Sequence, residues 1–155
     1  MSRLRIFSDQ NPHVVLFETE QSDTMAEKLA TLGVGFERWP IRAINDHASN
    51  EEILAAYKPE IDELVINNGF NAVDVVSINP DHPDREIMRA KFLNEHIHKE
   101  DEIRFFVRGS GLFTMHIGNN VYEVLSQAID LIRVPDSTKH WFDMGPAPLF
   151  TASRF

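Results

Sequence analysis

Glu95-His96-Ile97-His98-Lys99-Glu100-Asp101-Glu102-Ile103-Arg104-Phe105-Phe106 is the stretch on which the reading of this chain turns. In a β-strand, residues two apart point to one face. His96 and His98 then present two imidazoles to a common point, with Glu102 and Arg104 on the same parity. His140, on a later strand candidate beyond the tight turn Pro135 to Lys139, is placed to close such a site from across a barrel. Three imidazoles and one carboxylate without sulfur suit a first-row ion such as Fe(II), Ni(II), Mn(II) or Zn(II). In octahedral coordination they leave two adjacent positions for a bidentate oxygen ligand. A His-x-His pair in a charged run is, by itself, more often solvated surface than ligand.

Around that stretch the chain reads in two styles. Met1 to Asp9 alternates like a strand, and Phe36 to Trp39 is extended up to Pro40, but the first 70 or so residues are expected to be helix-rich. Asp23 or Thr24 is placed to cap a helix carrying Met25, Leu29 and Leu32 and stopping at Gly33. Ser49 with Glu52 forms a capping-box pattern ahead of Ile53, Leu54 and Tyr57, and Pro59 suits the first turn of a further helix. From Ala72 the period shortens. Strands are expected at Val73 to Ile78, His96 to Val107, Gly111 to Ile117, Val121 to Leu125, Leu131 to Val134, His140 to Phe142 and Leu149 to Phe155, with a short helix from Arg85 to Phe92. Gly109 and Gly111 are expected to form a tight hairpin turn. Such strand spacing predicts an antiparallel barrel or sandwich. One domain is expected over residues 1–155, its N-terminal part, 1–70, packed on barrel strands 72–155.

Composition bounds the partners. The 155 residues carry 15 Lys and Arg against 24 Asp and Glu, a net charge of −9, so the field of the protein repels nucleic acid and anionic membranes. With no cysteine, thiol nucleophiles, thiolate zinc sites and disulfide frameworks are excluded. No apolar run reaches the length of a membrane span or a secretory leader. A cytoplasmic address is expected.

The spacing His96-x-His98-x3-Glu102-x6-Gly109 resembles the first cupin motif, and Asp130-Leu131-Ile132-x-Val134-Pro135 through His140 resembles the second. The likeness narrows further. Asp101-Glu102-x-Arg104-Phe105-Phe106-Val107-x-Gly109-x-Gly111-x-Phe113, His140-Trp141-Phe142-Asp143-Met144-Gly145, the terminal Thr151-Ala152-x-Arg154-Phe155, and the stretches Phe36 to Trp39 and Lys91 to Leu93 are similar to the acireductone dioxygenase family. That resemblance implies a mainly β fold with N-terminal helices, a cupin jelly-roll barrel (double-stranded β-helix). It implies one Fe(II) or Ni(II) per chain held by His96, His98, Glu102 and His140. It also implies oxidation of a methylthio-bearing acireductone by O2 in methionine salvage, with products that depend on the metal. Ile129 and Ser137 stand where the cupin pattern has glycine, Ala90 replaces the glycine ahead of His96, and many bacterial members carry a further segment after the Arg-Phe found here at 154–155.

Within that frame, Arg104 is the expected catalytic and substrate-binding donor to a dianion, with Arg154 a second candidate. Phe92, Phe106 and Phe142 are candidates for the wall around a thioether tail, although aromatic residues in strands are as often plain core. His116 is expected to be structural, His13, His47 and His82 to be surface or loop residues, and Trp39 and Trp141 to pack. A monomer is expected, with the small-molecule substrate and O2 as partners. The alternatives are a non-catalytic metal-binding cupin that senses or stores a small molecule, and a metal-dependent isomerase or hydrolase that consumes no oxygen.

Overall fold

A computed structural model of the chain describes residues 2–40, 42, 44, 48–68, 74–78, 81, 83–93, 102–144 and 150–154. Among the described residues, nine strands and four helices follow in the order β1 (Arg3–Ser8), β2 (Asn11–Thr19), α1 (Ser22–Ala30), β3 (Gly35–Arg38), α2 (Asn50–Ala56), α3 (Lys58–Asn68), β4 (Asp74–Ile78), α4 (Arg85–Leu93), β5 (Glu102–Ile117), β6 (Asn120–Gln127), β7 (Asp130–Val134), β8 (Lys139–Asp143) and β9 (Phe150–Arg154). Among the described residues, no helix is long and apolar enough to cross a membrane.

The strands form two antiparallel layers that share β5. Its C-terminal half, Ser110 to Ile117, pairs with β6 on one side and, from Leu112 to His116, with β8 on the other; β6 continues through β1 to β2. Its N-terminal half pairs with β7, which continues to β3, and with β9, which continues to β4. This is the expected jelly-roll arrangement, with one long strand belonging to both walls.

That shared strand corrects the expected break at Gly109-Ser110-Gly111. The chain does not turn back there; it runs on as a single 16-residue strand. Gly109 has φ +73°, and the register against β9 shifts between Phe106 and Arg108. A glycine in the left-handed region bends the strand from one layer into the other, as at a bulge. Gly111 serves a different purpose. A Cβ built on it stands 2.2 Å from Cε2 of Phe142 and 3.3 Å from Cε1 of Phe106, so the missing side chain is the space in which the Phe142 ring lies.

The N-terminal stretch holds three of the four described helices, as expected, and adds one strand that was not expected, β2. β1, β2 and β3 all fall within the first 40 residues, and β1 and β3 join the two walls through β6 and β7. β2 escapes a period-2 reading because it is an edge strand whose residues Val14, Val15 and Leu16 are exposed one after another. Without one buried face there is no alternation to see. The helices fall near their expected places. Ser49 and Glu52 form the reciprocal capping box at the start of α2, and Pro59 sits in the first turn of α3. At α1 the cap differs: Gln21 occupies it without a side-chain hydrogen bond, and Asp23 lies inside the first turn, where its charge favours the positive end of the helix.

Alternation along β5 creates two cores. Phe106, Phe113 and Met115 pack inward with Leu4, Ile6, Phe36, Ile132 and Val134. Ile103, Phe105 and Val107 face outward, where α2 and α3 supply Ile53, Tyr57 and Ile61, with Trp39 beside them. The rings of Trp39 and Tyr57 lie 4.3 and 4.8 Å from that of Phe105. Full burial of such a ring contributes roughly 1.5–3 kcal/mol.

Candidate metal centre

At the start of β5, Glu102 and Arg104 share the inner parity, as the spacing predicts, and Glu102 lies opposite Val134 while Arg104 lies opposite Ile132 of β7. His140 reaches the same place from β8, where it pairs with Met115. It is 1% exposed. Its Nε2 stands 2.5 Å from Oε2 of Glu102, and its Nδ1 lies 2.8 Å from the Thr138 carbonyl oxygen. That carbonyl can only accept, so Nδ1 carries a hydrogen and donates, which leaves Nε2 facing the carboxylate.

Glu102 is held at both oxygens. Nη2 of Arg104 lies 2.8 Å from Oε1, and Nη1 of Arg104 donates to the Ile103 carbonyl at 3.1 Å. Burial opposes the charged form of His140, but its hydrogen bonds to Glu102 and to Thr138 outweigh that cost and raise its pKa above the ordinary histidine range. Two basic atoms converging at 2.5 Å away from solvent need a cation or a shared proton between them. Imidazole Nε2 and a carboxylate oxygen are ligands of the borderline and hard first-row ions, so this donor pair fits the expected metal.

Of the other candidates, Phe106 and Phe142 come together inside the barrel with Phe113. Phe142 lies 4.7 Å from Phe113 and 6.3 Å from Phe106, centroid to centroid. His116, one residue beyond the strand partner of His140 and so on the opposite face of β5, meets Oδ2 of Asp9 through Nε2 at 3.2 Å. Trp39 is buried in the outer core and donates to Glu37. His96 and His98 lie outside the described residues, as do His47 and His82. Phe92 is in α4, and Arg154 stands opposite Arg104 in the pairing of β9 with β5; the side chains of both lie outside the described set.

Several contacts in this part of the fold involve partners that no local pattern names. The Thr138 carbonyl acts through its backbone alone. Asp130, fully buried, accepts from the Ser2 hydroxyl and from the Gln127 N–H at 2.8 Å, with Arg38 Nε 3.0 Å from its other oxygen. Arg89 on α4 grips Asp143 on β8. In each case the partners are far apart in sequence or the group is one that every residue possesses.

Comparison with known proteins places this arrangement. Residues 3–155 match the ARD/ARD′ family. Over its full length the chain is 55% identical to an acireductone dioxygenase of Xylella fastidiosa and 56% identical to one of Xanthomonas campestris, covering 83% of each. It is also similar to a solved acireductone dioxygenase from Bacillus anthracis with a cadmium ion in its active centre, at a TM-score of 0.84 and 28% identity over 99% of this chain and 91% of that one. With a family match over almost every residue and Glu102 and His140 brought together where the cupin motifs put them, the chain belongs to the acireductone dioxygenase family.

Proposed function

We propose that the protein is an acireductone dioxygenase of methionine salvage, oxidising 1,2-dihydroxy-3-keto-5-methylthiopentene with O2. Loaded with iron it yields 4-methylthio-2-oxobutanoate and formate; loaded with nickel it yields 3-methylthiopropionate, formate and carbon monoxide. One ion per chain is held by His96, His98, Glu102 and His140. The cadmium-bearing active centre of the solved relative supports a divalent ion there. The protein acts as a single cupin domain, a cytoplasmic monomer whose partners are the small-molecule substrate and O2. Its negative charge disfavours nucleic acid and anionic membranes.

The observation that carries this reading is the approach of His140 Nε2 to Glu102 Oε2 inside the barrel, with Arg104 on the other carboxylate oxygen. When bound, the metal supplies a cation to hold an enediolate dianion and a place beside it for oxygen. The rest falls to the chain. Thr138 fixes the His140 ring so that Nε2 faces inward. Arg104 holds Glu102 in its present orientation and stands where a second cation is needed once a dianion enters, as a charge-assisted donor to substrate oxygens. Phe106, Phe113 and Phe142 supply an apolar wall for the thioether end, joined by Phe92, while Arg154 flanks Arg104 as a further donor.

The test is to load metal-free protein anaerobically with Fe(II) or Ni(II), add the acireductone, and admit oxygen. Formate is expected from both preparations and carbon monoxide from the nickel protein alone. Stoichiometric metal binding without oxygen consumption overturns the enzymatic reading in favour of a binding cupin.

A further inference from the structure

Arg89 of α4 and Asp143 of β8 form a two-armed ion pair: Nε to Oδ1 at 2.9 Å and Nη2 to Oδ2 at 3.3 Å. A guanidinium fork on a carboxylate fixes orientation as well as distance, which a single ammonium contact does not. Where the pair lies gives it meaning. Asp143 follows His140 by three residues on the same strand, and β8 bonds along one edge to β5, the strand of Glu102 and Arg104. Helix α4 packs against β8, and Met88, next to Arg89, reaches the inner core. The helix ends at Leu93, and His96 and His98 follow it in the sequence.

From this placement we infer that Arg89 and Asp143 are positioning residues for the metal site, fixing the segment that leads into His96 and His98 against the strand that carries His140. The inference rests on the ligand set proposed above. Its physical basis is that the pair joins the two pieces of chain whose ligands must meet within a few tenths of an ångström, although they are more than 40 residues apart in sequence. Ordinary stabilisation is a poor account of it. The two side chains are 34% and 28% exposed, a setting in which ion pairs add little to folding. The effect to look for is therefore in metal affinity and not in the stability of the metal-free fold.

The experiment is a nickel(II) titration of the metal-free full chain against a competing chelator, with melting temperatures of the metal-free and nickel-loaded forms recorded alongside. Arg89→Gln and Asp143→Asn should each weaken nickel binding by about 10- to 100-fold, in the range found when groups that orient metal ligands are lost. Arg89→Lys, which keeps charge but not the fork, should fall between these and the wild type. The reversed pair, Arg89→Asp with Asp143→Arg, should recover part of the loss. Arg42→Gln breaks a comparable fork to Glu60 on α3 and should leave nickel affinity unchanged. Nickel affinities within a factor of about two of wild type for both Arg89→Gln and Asp143→Asn, whatever happens to the melting temperatures, overturn the positioning role. A wild-type chain that takes up no nickel instead overturns the ligand set on which the role rests.

Discussion

His140 and Glu102 are 38 residues apart in sequence, yet Nε2 of the one lies 2.5 Å from a carboxylate oxygen of the other. Their approach brings β8 and the start of β5 together, and it leaves two basic atoms facing each other. Glu102→Gln and His140→Ala should each strip most of the metal from the purified protein. His116→Ala should keep it, because the His116 ring is engaged with Asp9. Metal analysis after dialysis decides this; equal retention in all three variants refutes the assignment.

Arg104→Met keeps length and removes charge. The variant should fold and, when saturated with metal, turn over more slowly by about one to two orders of magnitude, the value of a charge-assisted hydrogen bond of roughly 1.5–3 kcal/mol. A dianionic enediol analogue should also bind less tightly. Normal turnover with unchanged analogue affinity would confine Arg104 to its contact with Glu102.

Gly111 makes room for the Phe142 ring. Gly111→Ala therefore drives that ring off its position, at a cost of about 1–3 kcal/mol for an overpacked core. At this chain length that lowers the melting temperature by roughly 2–4 °C per kcal/mol. Combining it with Phe142→Leu should restore part of the loss. An additive or worse double variant means the added methyl is accommodated by some other movement.

Ser137 is exposed and has φ +62°. Left-handed backbone costs a residue with a Cβ about 1–2 kcal/mol, and glycine escapes that cost while adding entropy to the unfolded chain. Ser137→Gly should thus raise stability by up to about 1 kcal/mol, read as a higher urea midpoint. Ile129, at φ +71°, bears the same strain but packs against the outer core, so Ile129→Gly should gain less or lose.

The hydrogen bond from Arg42 holds the Glu60 carboxyl below its usual pKa, despite the opposing effect of burial. A depressed carboxyl stabilises the fold above the unfolded-state pKa and ceases to do so as pH falls through the folded value. Wild type should therefore exceed Glu60→Gln in urea midpoint at neutral pH, with the difference shrinking as pH falls below about 4.5. A gap that stays constant from pH 7 to pH 3 shows that the pair is not the cause.

How far the sequence speaks depends on whether a feature is local. Period-2 alternation put Glu102 and Arg104 on one face, and the structure has them there. The capping box at Ser49 was legible for the same reason, because its two halves are three residues apart. Gly109 and Gly111 misled, since a glycine that bends a strand and a glycine that makes way for a ring look like turn formers in one dimension. β2 was invisible because exposure on both faces erases its period. Arg89 with Asp143, and Asp130 with Ser2 and Arg38, depend on partners chosen by the folded topology, so no window along the chain contains them.

Strand β5 carries Ile103 and Phe105 on its back and Glu102 and Arg104 on its front. Every residue that grips the back, Tyr57 and Ile61 included, therefore acts as ballast for the carboxylate opposite. Helices with no line of sight to the chemistry set how steadily Glu102 is presented, and amides of β5 should exchange with solvent only when both walls open together. Wear in the padding behind the strand will be felt first as slackness at its front.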